Sequence, residues 1–396
     1  MKSSKGLILT GLVALLWIYS SAHFWRTGMG VAVDNYYGDF LANFPAGAVA
    51  EWVGRSDMFE ESLSSRWVPM PRWGYGPALH VVTLPLFLFP NLKSAYFLWL
   101  GVNYLMILIA AIALYRATRP RETSLLYVTL FGFIMLNFYP LYEGLAQRVI
   151  EIFELMLICI AMAAWGRARE RTAGISIGIA AMTKFTPAAF WLWFLLRRRW
   201  PAAIACGLTM LAFAIPAELL LGWENNWVVV QLGRGSWLQH MGNMTIGGAV
   251  MRLFALNEWP NRQLAARVVT LCFALALGAY LAFRQEREGD WKLEWSLLSI
   301  AMVVLLPHGH NYYLLFLVIP AAVLLQYAFD GRLGRWAMAS GLTGYLLVAW
   351  PFPLGAVNRL IGGDSVRWML NNRVPVIGAL LLALALILEM NAAGKR

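Results

Sequence analysis

Long apolar runs separated by short basic loops are the feature that most restricts the fold of this chain. Charged residues make up 13% of the sequence and hydrophobic residues 60%, whereas soluble domains average about 25% charged residues. A run of about 20 apolar residues is long enough to cross the hydrocarbon core of a bilayer as a helix. Because backbone polar groups in lipid need internal partners, helices are the expected structure. The pattern predicts an all-α polytopic membrane protein.

The apolar runs predict about ten full transmembrane helices. They lie near residues 6–25, 93–115, 124–141, 150–167, 200–221, 264–283, 293–307, 311–329, 336–355 and 373–391. Two further segments, 77–90 and 173–196, are predicted to be partial or re-entrant helices. Prolines interrupt the first, and basic loops flank the second at both ends. Whether either segment crosses fully is open from the sequence.

Arginine-rich loops predict the orientation of the spans. Loops with many basic residues stay on the cytoplasmic side, and such loops lie at 116–121, 167–171, 197–199 and 284–292. Both termini are then cytoplasmic. The outer face carries three long loops, 26–76, 222–263 and 356–372, in which we expect short helices. The whole chain, 1–396, is predicted to be a single domain.

The net charge of +11 is explained by the same loops. Its basic residues stand between membrane spans, where they meet anionic lipid head groups. The charge therefore predicts contact with membrane lipids and no binding of nucleic acid.

Lys184 stands in the middle of the apolar segment 173–196, followed by Phe185, Thr186 and Pro187. A lysine at membrane depth costs about 2.5–3.5 kcal/mol on insertion scales. It is expected to face a cavity and an anion, for which a phosphate group is the natural partner. The alternative is that Lys184 extends its ammonium group to the membrane surface.

His308 and His310 stand at the predicted outer end of a span. As protonatable donors they suit a phosphate or a sugar hydroxyl. The alternatives are a structural place in the aromatic belt and a zinc site, but no third ligand stands nearby, so no metal is predicted.

Two of the three long outer loops supply further candidates. Asp34 and Asp39 in the first loop are expected near the lipid interface, and either carboxylate suits a general base or can be a plain solvated acid. Tyr75 and His80 flank a Gly-Pro turn that leads into segment 77–90. In the second loop, Asn243 and Arg252 offer polar groups beside small residues.

Two acids, Glu151 and Glu154, stand inside a predicted span, one and two turns after Arg148. Arg148 and Glu151 are spaced as an i,i+3 pair. A buried ion pair that fixes helix packing and a functional role are equally compatible with this spacing.

The order of these motifs resembles the GT-C superfamily of membrane glycosyltransferases, and most closely glycosyltransferase family 87, which includes polyprenol-phosphate-mannose-dependent α-mannosyltransferases. The matching elements are Gly38-Asp39-Phe40, Tyr75-Gly76-Pro77, Lys184-Phe185-Thr186-Pro187, Asn243-Met244-Thr245 with Arg252, and Pro307-His308-Gly309-His310-Asn311-Tyr312.

The resemblance implies a GT-C-like helix bundle and an inverting hexosyltransferase. It would move a hexose, with mannose expected, from a polyprenyl-phosphate sugar to a lipid or glycan hydroxyl, without a cofactor. Asp39 would be the base, while Lys184, His308, His310 and Arg252 would surround the donor phosphate, with Asn243, Tyr75 and His80 as further substrate contacts. The expected location is a bacterial cytoplasmic membrane, with the active site facing the periplasm or exterior. A secondary transporter or lipid-carrier flippase is the alternative function.

Overall fold

Helices form the regular structure of the part of the chain that the computed structural model describes, residues 4–23, 77–221, 243–255, 261–284, 291–306, 309–349 and 374–392. These residues contain no strand, and the prediction of an all-α membrane protein is confirmed. The α-helices are α1 Ser4–His23, α2 Pro77–Thr83, α3 Leu92–Thr118, α4 Leu125–Leu136, α5 Tyr139–Gln147, α6 Glu151–Trp165, α7 Glu170–Thr183, α8 Ala188–Leu196, α9 Trp200–Leu221, α10 Ile246–Ala255, α11 Arg262–Phe283, α12 Trp291–Val304, α13 Val318–Phe329, α14 Arg335–Val348 and α15 Val374–Ala392. Short 3₁₀ helices at Leu84–Leu88 and Asn311–Leu317 extend α2 and precede α13.

The number of membrane crossings is the point on which the prediction is not confirmed. Within the described ranges, 4 helices are long and apolar enough to cross a bilayer, or 5 if α4 and α5 count as one broken span. The sequence predicted about ten. Several predicted spans form helices shorter than the roughly 20 residues that a crossing needs.

The predicted span 124–141 is broken into α4 and α5, which are bent by 45°. Pro140 has no N–H, so it cannot bond to the carbonyl four residues before it. The Tyr142 hydroxyl donates to that carbonyl, the one of Leu136. Asn137, at the break, donates its side-chain amide to Phe133 at 3.0 Å. A proline and polar side chains that bond to the backbone are sufficient to bend the segment.

The described residues fall into two compact units. One, here called the Lys184 unit, comprises residues 32–113 and 144–235; the other, the His310 unit, comprises residues 1–31, 114–143 and 236–396. The prediction of a single domain over the whole chain stays a prediction.

Within the Lys184 unit, α7 lies directly against α9. A Cβ atom at Gly178 would lie 2.7 Å from Cβ of Thr209 and 2.8 Å from the carbonyl oxygen of Cys206. Any side chain at this position would therefore push the two helices apart. The spacing of Gly174 and Gly178 is the small-residue pattern that allows close packing of helices in membranes.

The segment 173–196 folds back on itself, as the sequence predicted. Helix α7 ends at Thr183, and α8 begins at Ala188. With 9 residues, α8 is roughly 14 Å long, too short to cross a bilayer. Arg199, which follows α8, lies 3.8 Å from Glu170 at the start of α7. The two arginine-rich flanks of the hairpin therefore lie at the same end.

Within the His310 unit, α14 and α15 also pack closely at glycines. A Cβ atom at Gly344 would lie 2.8 Å from the carbonyl oxygen of Gly378. Near the other terminus of α15, the Arg284 guanidinium donates to the Met390 carbonyl at 2.9 Å and lies 3.4 Å from the buried carboxylate of Glu294. These contacts connect α11, α12 and α15.

Candidate functional site

Lys184 lies at the break between α7 and α8. Its backbone is extended, with φ −151 and ψ 140, and its N–H still bonds to Ala180 at 3.1 Å. Pro187, at the start of α8, disfavours helical backbone in the residue before it, so the helix cannot run through this segment. The lysine is 6% exposed. The break therefore places a buried cation where two helix ends meet.

The buried cation has a carboxylate partner. The Lys184 ammonium donates to Oε1 of Glu151 at 2.6 Å, and the two side chains are 7% and 2% exposed. A charge-assisted bond of this length is among the stronger hydrogen bonds in proteins. Removing one member of a buried pair leaves an uncompensated charge, which typically costs about 3–5 kcal/mol. Lys184 therefore contributes to the packing of α6 against α7 as well as offering a positive charge.

Glu154 is a second buried acid, one helical turn further along α6. It is 0% exposed, and neither carboxyl oxygen has a hydrogen-bond partner among the described residues. It interacts electrostatically with Glu151 and Lys184. A buried carboxyl group normally has a hydrogen-bonding partner, so one without a partner requires an explanation.

Arg148 ends the turn that leads into α6. It is buried, and its guanidinium carbon lies 4.0 Å from the ring centroid of Tyr96. Its φ of 53 is in the left-handed region, where a residue other than glycine is strained. Its carbonyl accepts a bond from the Trp99 indole at 3.3 Å. The stacking on Tyr96 gives this cation a cation–π partner.

The Lys184 unit thus concentrates charge at one end of the α6–α7 hairpin. Among the described residues, the buried charged side chains of this unit are Arg148, Glu151, Glu154 and Lys184. Two are cations and two are acids. Such a buried cluster, held at the end of a helix hairpin, can bind an anion if one of the cations exchanges its partner.

The His310 unit contains a second arrangement predicted from the sequence. The amide oxygen of Asn243 accepts bonds from the Gly309 N–H at 3.1 Å and from the Thr245 hydroxyl at 2.9 Å. The Met244 N–H donates in turn to the Gly309 carbonyl at 2.6 Å. Asn243 and Thr245 are both fully buried. The structure therefore brings together the Asn243 loop and the segment of the second histidine.

His310 follows this junction and remains partly exposed. Its ring centroid lies 5.1 Å from that of Tyr312 and 6.5 Å from that of Tyr313. A cluster of one imidazole and two phenol rings offers hydrogen-bonding groups on an aromatic surface. Asn243 acts here mainly by holding the loop, since its amide oxygen accepts from two protein donors. A direct contact of Asn243 with a substrate stays a prediction.

Several predicted site residues lie outside the described part of the chain: Asp34, Asp39, Tyr75 and His308. So do outer loops 26–76 and 356–372 and most of 222–263. His80 belongs to α2 and Arg252 to α10, but their side chains are outside the described part as well. In the described residues no group of three or more histidine, cysteine, aspartate or glutamate side chains could hold a metal ion. The roles predicted for these residues stay predictions.

The sequence-based prediction did not include the pairing of Lys184 with Glu151, because it considered Arg148 as the partner of Glu151. A usable signal was present. Glu151 and Lys184 are equally distant along the chain from the turn at Arg167 and Ala168. In an antiparallel helix hairpin, residues equally distant from the turn lie side by side, so opposite charges there predict a pair.

The family model described as glycosyltransferase family 87 matches residues 73–307. No curated protein matches the chain. No solved structure matches it either.

Proposed function

Because this chain belongs to glycosyltransferase family 87, and is thus a membrane glycosyltransferase, we propose that it transfers a hexose from a polyprenyl-phosphate sugar with inversion. Mannose is the expected sugar, and a lipid or glycan hydroxyl is the expected acceptor. The family match favours this activity over the transporter or flippase predicted as the alternative.

The observation that supports this proposal best is Lys184. It lies within the matched range 73–307, at a break between two short helices, and only 6% of it is exposed. A departing polyprenyl phosphate is an anion, and its release is easier where a positioned cation stabilises the developing charge. Lys184, which lies at the end of the α6–α7 hairpin, is suited to stabilise the charge of the leaving phosphate.

The proposed reaction is a single displacement. The acceptor hydroxyl oxygen forms a bond to the anomeric carbon while the bond from that carbon to the phosphate oxygen breaks, and the configuration inverts. Asp39 takes the hydroxyl proton, with Asp34 as the alternative base. The leaving group departs as polyprenyl phosphate, stabilised by Lys184.

Further contacts to donor or acceptor are proposed for the His310 unit. The junction between Asn243 and Gly309 holds His310 beside Tyr312 and leaves it partly exposed. His308 and Arg252 are proposed to add positive charge near the phosphate. Tyr75 and His80 are proposed as substrate contacts beside the first outer loop.

The proposed location is a bacterial cytoplasmic membrane with both termini inside and the active site at the outer face. The two basic flanks of the α7–α8 hairpin lie at one end, and Lys184 lies at the break between its two helices, which supports an outer position for Lys184. The chemistry needs no metal ion or cofactor, because protein cations can stabilise the leaving group and the donor sugar is already activated.

The test uses purified full-length protein, radiolabelled polyprenyl-phosphate sugars and native lipid or glycan extracts. Transfer of one sugar to an extractable acceptor is the expected result. The double variant Lys184→Met/Glu151→Gln, which removes both charges together, should fold but lose donor binding. Absence of transfer from every polyprenyl-phosphate sugar, or unchanged donor binding by the double variant, would contradict the proposal.

The base is tested separately by Asp39→Asn and Asp34→Asn. Asparagine keeps the shape of aspartate but does not accept the proton, and general-base catalysis contributes about 10²–10⁴-fold. Asp39→Asn should lower kcat by that range with donor binding unchanged, and Asp34→Asn should have a much smaller effect. If Asp34→Asn lowers kcat more than Asp39→Asn does, the base is Asp34. Full activity of both variants would show that neither residue is the base.

A further inference from the structure

The two acids beside Lys184 have no part in the reaction proposed above. Glu151 neutralises the lysine at 2.6 Å. Glu154 is fully buried with no hydrogen-bond partner for either oxygen among the described residues. If the ion pair served packing alone, it would not need a second acid one turn away, because burying an additional polar group costs free energy.

Glu151 places a limit on how Lys184 can bind a phosphate. An incoming phosphate meets a neutral ion pair and not a free cation, so it must share the ammonium group with Glu151 or replace it. In either case the carboxylate repels the phosphate across a short, poorly screened distance. Glu151 therefore weakens anion binding in the enzyme as it stands.

Replacement of Glu151 creates a second problem, which Glu154 can solve. A buried carboxylate that has lost its cation is costly unless another donor replaces it. Glu154 is three residues further along α6, and side chains with this spacing are neighbours on a helix surface. A buried carboxyl without a cation of its own is stable only as the neutral acid, which carries one O–H donor. That O–H can donate to Glu151.

On the premise that Lys184 binds the donor phosphate, we propose that Glu151 and Glu154 form a carboxylate latch. In the empty enzyme Glu151 holds Lys184. When a phosphate binds, Lys184 turns to it, and Glu154 donates its hydrogen bond to the released Glu151. No bond to carbon or phosphorus forms in this exchange, and the Glu154 proton stays between the two carboxyl groups.

The charged groups that take part come from both helices of the hairpin. Within the described residues, the charges that act on Glu154 are those of Glu151, on its own helix, and of Lys184, from the end of α7. Arg148, which precedes α6, is stacked on Tyr96. The latch therefore makes Glu151 a positioning residue. Its removal is expected to strengthen phosphate binding, whereas removal of a binding residue weakens it.

Glu151→Gln is expected to bind an isoprenyl phosphate more tightly than the wild-type protein. Without the competing carboxylate, Lys184 is available to the phosphate, and we expect a gain of about tenfold, typical for coupled sites. Product release should slow for the same reason, so that KM and kcat both fall. A merely structural role for Glu151 does not produce tighter binding.

Glu154 is tested by a matched pair of substitutions. Glu154→Gln keeps an N–H donor that can bond to Glu151, so its affinity should stay near that of the wild type. Glu154→Leu removes the donor, so releasing Lys184 leaves Glu151 unpaired, and binding should weaken by about tenfold.

The measurement is titration of purified full-length protein in detergent with farnesyl phosphate, repeated with inorganic phosphate. The latch acts on the phosphate group, so the ratio of variant to wild-type affinity should be the same for both probes. A change in affinity seen with farnesyl phosphate but not with inorganic phosphate would mean that the acids act on the lipid chain, and it would overturn the latch. Thermal melting of each variant shows that it is folded.

The outcomes separate the latch from the proposed function. If Lys184→Met/Glu151→Gln binds farnesyl phosphate like the wild type, the donor site is elsewhere and the proposed role of Lys184 fails. If that double variant loses binding while Glu151→Gln binds no more tightly, only the latch is refuted. Equal affinities of Glu154→Gln and Glu154→Leu refute it independently, including in the case that Glu151→Gln does not fold.

Discussion

Replacing Lys184 with methionine should destabilise the protein strongly, and the structure gives the size of the effect. Methionine fills a similar volume but leaves Glu151, 2% exposed as a side chain, without its cation. Breaking a buried ion pair by removing one partner costs about 3–5 kcal/mol. The stranded carboxylate can limit this cost by taking up a proton, and protonating a glutamate in water at neutral pH costs about 4 kcal/mol. The cost of protonating Glu151 thus falls within the range expected for breaking the ion pair, so both routes predict a loss of about 4 kcal/mol in the free energy of unfolding.

The second arm of this experiment is the double variant Lys184→Met/Glu151→Gln. Replacing both charges together is often neutral, because the cost of burying them also disappears. We expect the double variant to lie within about 1 kcal/mol of the wild type, and the two single variants to sum to much more than the double. A loss of stability in the double variant that is much smaller than the sum of the two single losses identifies a buried pair.

The assay is reversible unfolding in mixed detergent micelles, followed by tryptophan fluorescence, which the 19 tryptophans make sensitive. The free energy of unfolding is compared for the wild type, both single variants and the double variant. Additive losses in the two single variants, or a loss below about 1 kcal/mol for Lys184→Met, would refute the argument, since they would place Lys184 in a solvated position.

Three further predictions use the same unfolding assay. Gly178→Ala should destabilise by about 1–3 kcal/mol because its Cβ has no space against α9, whereas Gly101→Ala, with nothing within 4 Å, should be neutral or stabilising; equal effects would contradict the close packing. Asn243→Ala should cost about 1–3 kcal/mol by leaving two buried donors without an acceptor; a loss below about 0.5 kcal/mol would show that these two bonds do not hold the loop. Glu294→Leu should cost about 1.5–3 kcal/mol by removing the charged acceptor of Arg284, and Glu294→Gln, which keeps a neutral oxygen acceptor, should cost less; a larger loss for Glu294→Gln than for Glu294→Leu would contradict the role of residue 294 as the acceptor of Arg284.

The sequence predicted the fold class because hydropathy is a property of short segments. Apolar runs and arginine-rich loops are sufficient to predict a helical membrane protein. The break of the 173–196 segment at Lys184 was also predictable, since Pro187 blocks a continuous helix by its own geometry. The family was recognisable from the order of the motifs, and the match to residues 73–307 confirms it.

The division of the predicted span 124–141 was not predicted. Pro140 was visible in the sequence, but membrane helices often tolerate proline when a neighbouring group satisfies the freed carbonyl. Here the Tyr142 hydroxyl does so across a bend of 45°. Local sequence therefore indicated a weak point, but the hydrogen bonds that Tyr142 and Asn137 make to the backbone in the folded chain accompany the bend and could not be read from the sequence.

The partners of the buried charges were decided by tertiary structure. The sequence predicted that Lys184 needs an anion and that Glu151 and Glu154 lie inside a membrane span, because a charged residue within an apolar run is recognisable without knowledge of the fold. Which charges meet depends on the angle and register at which α6 and α7 pack. In the observed register the turn at Arg167 and Ala168 lies midway between the two residues, Lys184 meets Glu151, and Glu154 has no hydrogen-bond partner among the described residues.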